Sequence, residues 1–337
     1  MGENNVLTKK ENVLISAGDC AVTLLPAFGG KIASIRIKDR ELLQAPLAPV
    51  AARTRSMSFD AADASGWDEC LPSVAACTVK IAAGEAQVPD HGDLWREEWE
   101  IQGTGNREQG IGNTGQGAGS RSSVTLRGEC FSLPLALERT TALVETGQGS
   151  RQGWRLRVDY TLTNTGRVAT PWSWAGHVLF AAEEGDRIEI PSSIAEMRVE
   201  GSGGGRLDGS NGHVAWPMAK LASGGTTDLS VVQGTASKIG DKLFTGRLGA
   251  DEKWCVLHRP KAGVRIRISF DTTTTPYLGL WLCYGGWPDR PGTKQMCVAP
   301  EPSTAPVDSL ATLGDWSRVL GAGESARWHV NVDLEVL

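Results

Sequence analysis

The ten residues WRLRVDYTLT (154–163) constrain the fold more than any other stretch of this chain. Leu156, Val158, Tyr160 and Leu162 alternate with Arg155, Arg157, Asp159 and Thr161. That two-residue period belongs to a strand with one face on a core and the other in water. No stretch carries the 3.6-residue period of an amphipathic helix for more than about two turns. Further strands are expected at 12–16, 21–25, 31–37, 41–43, 78–81, 99–101, 123–128, 135–141, 187–190, 229–233, 254–258, 264–270, 278–284 and 327–336. Strand following strand across turn-rich connections predicts an all-β protein, an antiparallel sandwich or barrel. Neither an internal repeat nor a shift in composition divides the chain, so residues 1–337 read as one domain. Two segments stand apart as unable to bury a core: a polar tail, 1–11, expected to be disordered, and a Gly-, Asn- and Gln-rich segment, 103–122, expected to be a loop insertion.

Composition removes several function classes. A formal net charge of -5 leaves no electrostatic footprint for nucleic acid or an acidic membrane. There is no apolar run of about 18 residues and no signal-type apolar segment near Met1, so no membrane span is expected and a cytoplasmic address is the simplest. The seven cysteines include no CxxC pair, which signals neither a disulfide framework nor a zinc site. Twelve tryptophans against three tyrosines and six phenylalanines either fill a core or offer flat faces for sugar rings.

Three places set titratable groups beside turn residues and aromatics: His91 in VPDHGDLWREEW, His177 in PWSWAGHVLF and Glu301 in VAPEPSTAPVD. Pro89 and Gly92 place His91 on a turn. Pro300 and Pro302 flank Glu301 and are expected to cap a strand end. A glutamate base and a partly charged histidine acid coexist near neutral pH, and such a pair moves protons. GxSxG and HExxH are absent, leaving proton transfer without a cofactor as the expected chemistry.

These segments, in this order, resemble the aldose 1-epimerase (galactose mutarotase-like) family. FGGKIASIRIKDRELL is similar to its opening hairpin, GWDECLPSV to a "DE-x-x-P" segment of one bacterial branch, and PDHGDLW to that branch's "DHG" turn. PWSWAGHVLF is similar to the segment carrying the second histidine, and VAPEPSTAPVDSL to the one carrying the glutamate. The resemblance implies a β-supersandwich of mainly antiparallel strands and a small-molecule sugar substrate, with no cofactor and no metal. It implies that Glu301 takes the proton of the anomeric hydroxyl, that His177 protonates the ring oxygen and that His91 binds the sugar. Arg96, Asp241, Trp95, Trp174 and Trp281 become candidate substrate contacts. The chain departs from the family in two places. Trp67, Asp68 and Glu69 stand where the mutarotases carry an Asn-Arg pair, and Gly176 stands where they have Asn. Two alternatives stay open: a hexose 6-phosphate substrate, for which Arg96 with Arg53 or Arg55 would supply the anion site, and a non-catalytic sugar-binding protein of the same fold. The sequence leaves the oligomeric state open.

Overall fold

The computed structural model describes residues 12–82, 84–106, 121–147, 152–209 and 212–337. The expected tail, 1–11, and residues 107–120 of the expected loop lie outside the described residues. No helix among the described residues exceeds a single three-residue turn. None is long and apolar enough to cross a membrane.

Two large antiparallel sheets carry the fold. The first has twelve strands. Its main path runs in space through Val13–Ala17, Cys20–Leu25, Lys31–Ile37, Trp67–Cys70, Ala175–Val178, Met296–Ser303, Tyr277–Tyr284, Ile239–Phe244, Glu196–Ser202 and His213–Ala215. The second has eight: Arg187–Glu189, Trp254–Arg259, Val264–Phe270, Ser325–Val336, Gly153–Asn164, Leu135–Glu145, Arg121–Glu129 and Glu100–Asn106. Apolar residues from both sheets form one continuous core, including Ile15, Val22, Trp67, Leu156, Val158, Ile266, Leu280 and Val330.

The second sheet is where alternation was legible. Gly153–Asn164 buries every second residue. Its outer face carries ion pairs between exposed groups, such as Arg155 Nε with Asp333 Oδ1 at 2.6 Å. In the first sheet the central strands are covered on both faces. All four residues of Trp67–Cys70 and of Ala175–Val178 are buried, so they show no period.

Two expectations need correcting. Residues 229–233 form no strand, because the Asp228 carboxylate accepts from Ser230 N (2.9 Å) and Ser230 Oγ (2.6 Å) and bends the chain into a turn. Glu301 is not at a strand end but inside Met296–Ser303, which pairs with Tyr277–Tyr284 along its whole length. On its other side this strand meets Phe180–Ala181 at residues 297–298 and Ala175 at residue 303. No partner is in register at 299–302, and there Pro300 and Pro302 have no N–H to offer a ladder.

The sheets are tied together by buried charge. Glu69, fully buried in the first sheet, accepts from Arg139 Nη1 (2.9 Å) and Tyr160 OH (3.0 Å) of the second. Its other oxygen accepts from Trp174 Nε1 (2.9 Å). Tyr160 stacks on Trp328 at 5.2 Å. Nearby, Lys31 pairs with Asp68 (2.5 Å) and Asp63 (3.2 Å), and Arg53 pairs with Asp63 (2.6 Å). Burial alone would raise the Asp63 carboxyl, but Lys31 and Arg53 outweigh it and hold it at about 2.

Removing one partner of such a group leaves the other charge buried and alone. Arg139→Met should therefore lower the unfolding free energy by about 3–5 kcal/mol, measured by urea denaturation. A loss below about 1 kcal/mol would mean that the Glu69 cluster is not a tie between the sheets.

Candidate functional site

A cavity of about 370 Å³ opens over the middle of the first sheet. That lies at the small end of ligand clefts, roughly 300–1,000 Å³. His91, His177 and Glu301, three segments distant in sequence, meet in its wall.

His177 sits on Ala175–Val178, opposite Asp68 of the neighbouring strand. Its Nε2 is 3.8 Å from Glu301 Oε1. Its Nδ1 is buried and has no hydrogen-bond partner, and neither has Glu301 Oε1. An orphaned lone pair costs less than an orphaned N–H, so we assign the ring's proton to Nε2, on the Glu301 side. Burial first, and then His91, Lys242 and Lys31, push the His177 ring well below its ordinary pKa. The sequence-level picture of a partly charged His177 at neutral pH is corrected here: the ring is neutral.

His91 lies 5.2 Å from His177, centroid to centroid, edge to face. Its backbone is left-handed, with φ +58°, a region that non-glycine residues seldom occupy. Its N–H is held by Val74 O at 2.5 Å, and Asp93 N donates to Leu71 O at 2.7 Å. Gly92, with φ +71°, brings its Cα against the same carbonyl, and a Cβ there would fall 2.2 Å from Leu71 O. The His91 ring is stacked on Phe59 at 3.8 Å. Asp90 Oδ2 lies 2.8 Å from its Nδ1, which directs Nε2 away from Asp90. Burial tends to raise the Asp90 carboxyl, but His91 and Arg96 bring it below its usual value.

Of the other candidates, only Trp281 lines the cavity. Its Nε1 donates to Gln295 Oε1 at 3.0 Å. Trp174 is fully buried on Glu69. Trp95 is fully buried as well, with Phe59 edge-on at 5.3 Å and the Arg96 guanidinium over it at 4.1 Å. Arg96 donates to Met57 O, Asp90 O (2.8 Å) and Gly92 O, so its fork holds the His91 turn from behind. Asp241 is buried against Ser202 Oγ (2.7 Å) and Arg206. Its neighbour Lys242 faces the cavity, because successive strand residues point to opposite faces.

Lys242, Asp308, Phe59 and Trp287 line the cavity and were not singled out from sequence. Lys242 Nζ is bonded to Glu301 Oε2 and stands 3.7 Å from Asp308 Oδ1. Burial pushes the Glu301 carboxyl above its ordinary value, against the pull of Lys242. Lys242 is disfavoured by burial, yet Asp308 and Glu301 raise it above the usual lysine value. Asp308 stood inside the quoted VAPEPSTAPVDSL motif, so it was within reach of a sequence reading. Lys242 was one residue from the one chosen.

Comparison with solved structures gives the fold its name. A protein of Synechocystis sp. PCC 6803 superposes with a TM-score of 0.65 over 100% of both chains at 16% identity. A galactose mutarotase related enzyme from Lactobacillus acidophilus gives 0.59 at 13% identity, over 96% of each chain. A GalM/aldose epimerase homologue from C. elegans gives 0.60 at 11% identity, over 97% of this chain and 99% of its own. The fold is galactose mutarotase-like. No protein-family model matches the sequence, and no curated protein matches it. Within this mutarotase-like fold the departure at Gly176 has a packing reason. A Cβ there would stand 3.1 Å from the Trp174 ring, which its bond to Glu69 prevents from giving way.

If Arg96 braces the turn rather than gripping a ligand, its removal is felt without any ligand. Arg96→Met should cost the free protein about 2–3 kcal/mol in urea unfolding, as for lost charge-assisted bonds to buried carbonyls. Unchanged stability would return Arg96 to the list of ligand contacts.

Proposed function

We propose that this protein interconverts the α and β anomers of an unphosphorylated aldose, as a member of the aldose 1-epimerase family. The observation that carries the reading is the pairing across the cavity. Glu301 Oε1, buried and without a partner, faces the neutral His177 ring at 3.8 Å, with His91 beside it. Glu301 takes the proton of the anomeric hydroxyl, and its raised pKa makes it a stronger base than a solvated carboxylate. His177 donates its Nε2 proton to the ring oxygen as the C1–O5 bond breaks, in the manner of a neutral imidazole electrophile. His91, the more exposed ring, binds the sugar. Rotation about C1–C2 and reversal of the same steps close the ring on its other face. Atoms and charge balance with no cofactor.

The phosphorylated alternative is not favoured. Arg53 is spent on Asp63, and Arg55 pairs with Glu97 away from the cavity. Asp60, Asp90, Glu301 and Asp308 line the cavity against a single Lys242, and such a wall repels a phosphate dianion.

Polarimetry of freshly dissolved α-glucose and α-galactose tests the reading. The protein should speed the approach to anomeric equilibrium, and Glu301→Gln should reduce the effect about 10²–10⁴-fold. Saturable sugar binding with no acceleration would establish the binding-protein alternative instead.

The pH profile separates the roles. Glu301 must be ionised to act, so kcat/KM should fall as pH drops through a value above the usual glutamate range. Because His177 works as the neutral ring, no further loss is expected as pH rises from 6 to 8. A decline over that interval would assign the acid step to a histidinium.

A further inference from the structure

We propose that Lys242 is a positioning residue for the base: it clamps Glu301 Oε2 and balances its charge, leaving Oε1 as the atom that meets the sugar. This rests on Glu301 acting as the base. The geometry distinguishes the two oxygens of one carboxylate. Oε2 is bonded to the ammonium, while Oε1 has no partner and looks across the cavity to His177. The lysine is itself confined, with its ammonium 5.1 Å from the centre of the Phe244 ring.

Asp308 makes the arrangement work through a cycle. Its carboxylate stands on the far side of the ammonium at 3.7 Å. Its backbone is pinned, since its carbonyl accepts from Val74 N (3.0 Å) and Ala75 N (2.8 Å), and its N–H donates to Glu200 Oε1 (3.1 Å). When Glu301 is ionised, the ammonium is shared between two carboxylates. When Glu301 has taken the sugar's proton, the ammonium still has Asp308. A buried cation is thus never left alone, which would cost far more than the exchange of one partner.

The same surroundings exclude a competing role. A lysine beside an aldehyde could form an imine, but that requires the neutral amine. Asp308 and Glu301 hold Lys242 protonated, so it makes no bond to the opened sugar.

Every charged or titratable group near Glu301 enters the test. Lys242 and Asp308 flank it, and His177 and His91 face it across the cavity, with Asp90 behind His91 and Asp60 in the wall. The Cys70 and Cys297 thiols lie close by, and burial keeps both protonated. Of these, Lys242 is the group in direct contact with Glu301 that carries a positive charge at neutral pH. Lys242→Met keeps much of the stem and removes that charge.

The direct readout is carbon-13 NMR of δ-labelled glutamate in the full chain, with the Glu301 signal assigned by its loss in Glu301→Gln. In Lys242→Met, Glu301 should titrate about one to three pH units higher than in the unaltered protein. Lys242→Arg should bring it back toward the original value. Asp308→Asn, which removes a negative neighbour, should move it the other way and keeps the test available if Lys242→Met does not fold. The acid limb of kcat/KM should follow the same order. A Glu301 titration unmoved by Lys242→Met or Asp308→Asn would overturn the inference. The titration needs no substrate, so its failure is distinct from that of the proposed function, which fails if the unaltered protein does not accelerate anomer exchange.

Discussion

A fully buried carboxylate ties the two sheets of this molecule together. Glu69 reaches from the first sheet to Arg139 and Tyr160 of the second, and its remaining oxygen takes the Trp174 indole. Hydrophobic burial presses the two sheets together but is non-directional. Glu69 adds the direction. Its strand lies beside the one that carries His177, with Gly176 in register with Glu69 itself. The register of the His177 ring is therefore set by the same strand pair that anchors the sheets. Trp174, locked by its bond to Glu69, fills the space where a larger residue than Gly176 would go.

Around the cavity the protein sorts its charges by depth. Arginines 53 and 96 lie behind the wall, bonded to backbone carbonyls and, for Arg53, to Asp63. The titratable groups that line the cavity are two imidazoles, four carboxylates and one ammonium. Burial pushes the Glu301 carboxyl up and the His177 ring down.

How much of this was legible in the sequence depended on solvent. Strands with one wet face announced themselves: 31–37 and 264–270 were located to the residue, and 153–164 to within one. The strands that build the cavity floor are dry on both sides, so their periodicity is erased. Met296–Ser303, with seven of its eight residues buried, shows no alternation, and its two prolines made Glu301 read as lying at a strand end. His91, His177 and Glu301 were singled out as titratable groups beside turn residues and by the resemblance of their segments, and they do meet in one cavity. Trp95 and Trp174 were indistinguishable in sequence from Trp281, yet only Trp281 reaches the cavity. Asp241 shows the sharpest limit. On a strand, an error of one residue exchanges the two faces of the sheet, and the cavity-facing side chain is the lysine beside it.

The left-handed backbone at His91 narrows how this chain can drift. Most side chains pay a steric penalty there, and only glycine, with asparagine and aspartate behind it, takes the conformation readily. A lineage that lost the imidazole would be steered toward those few replacements and away from valine or isoleucine. A substitution at position 91 thus changes two things at once, the ring that lines the cavity and the side chain that must tolerate φ +58°. A glycine there would keep the turn and remove the ring from the cavity wall.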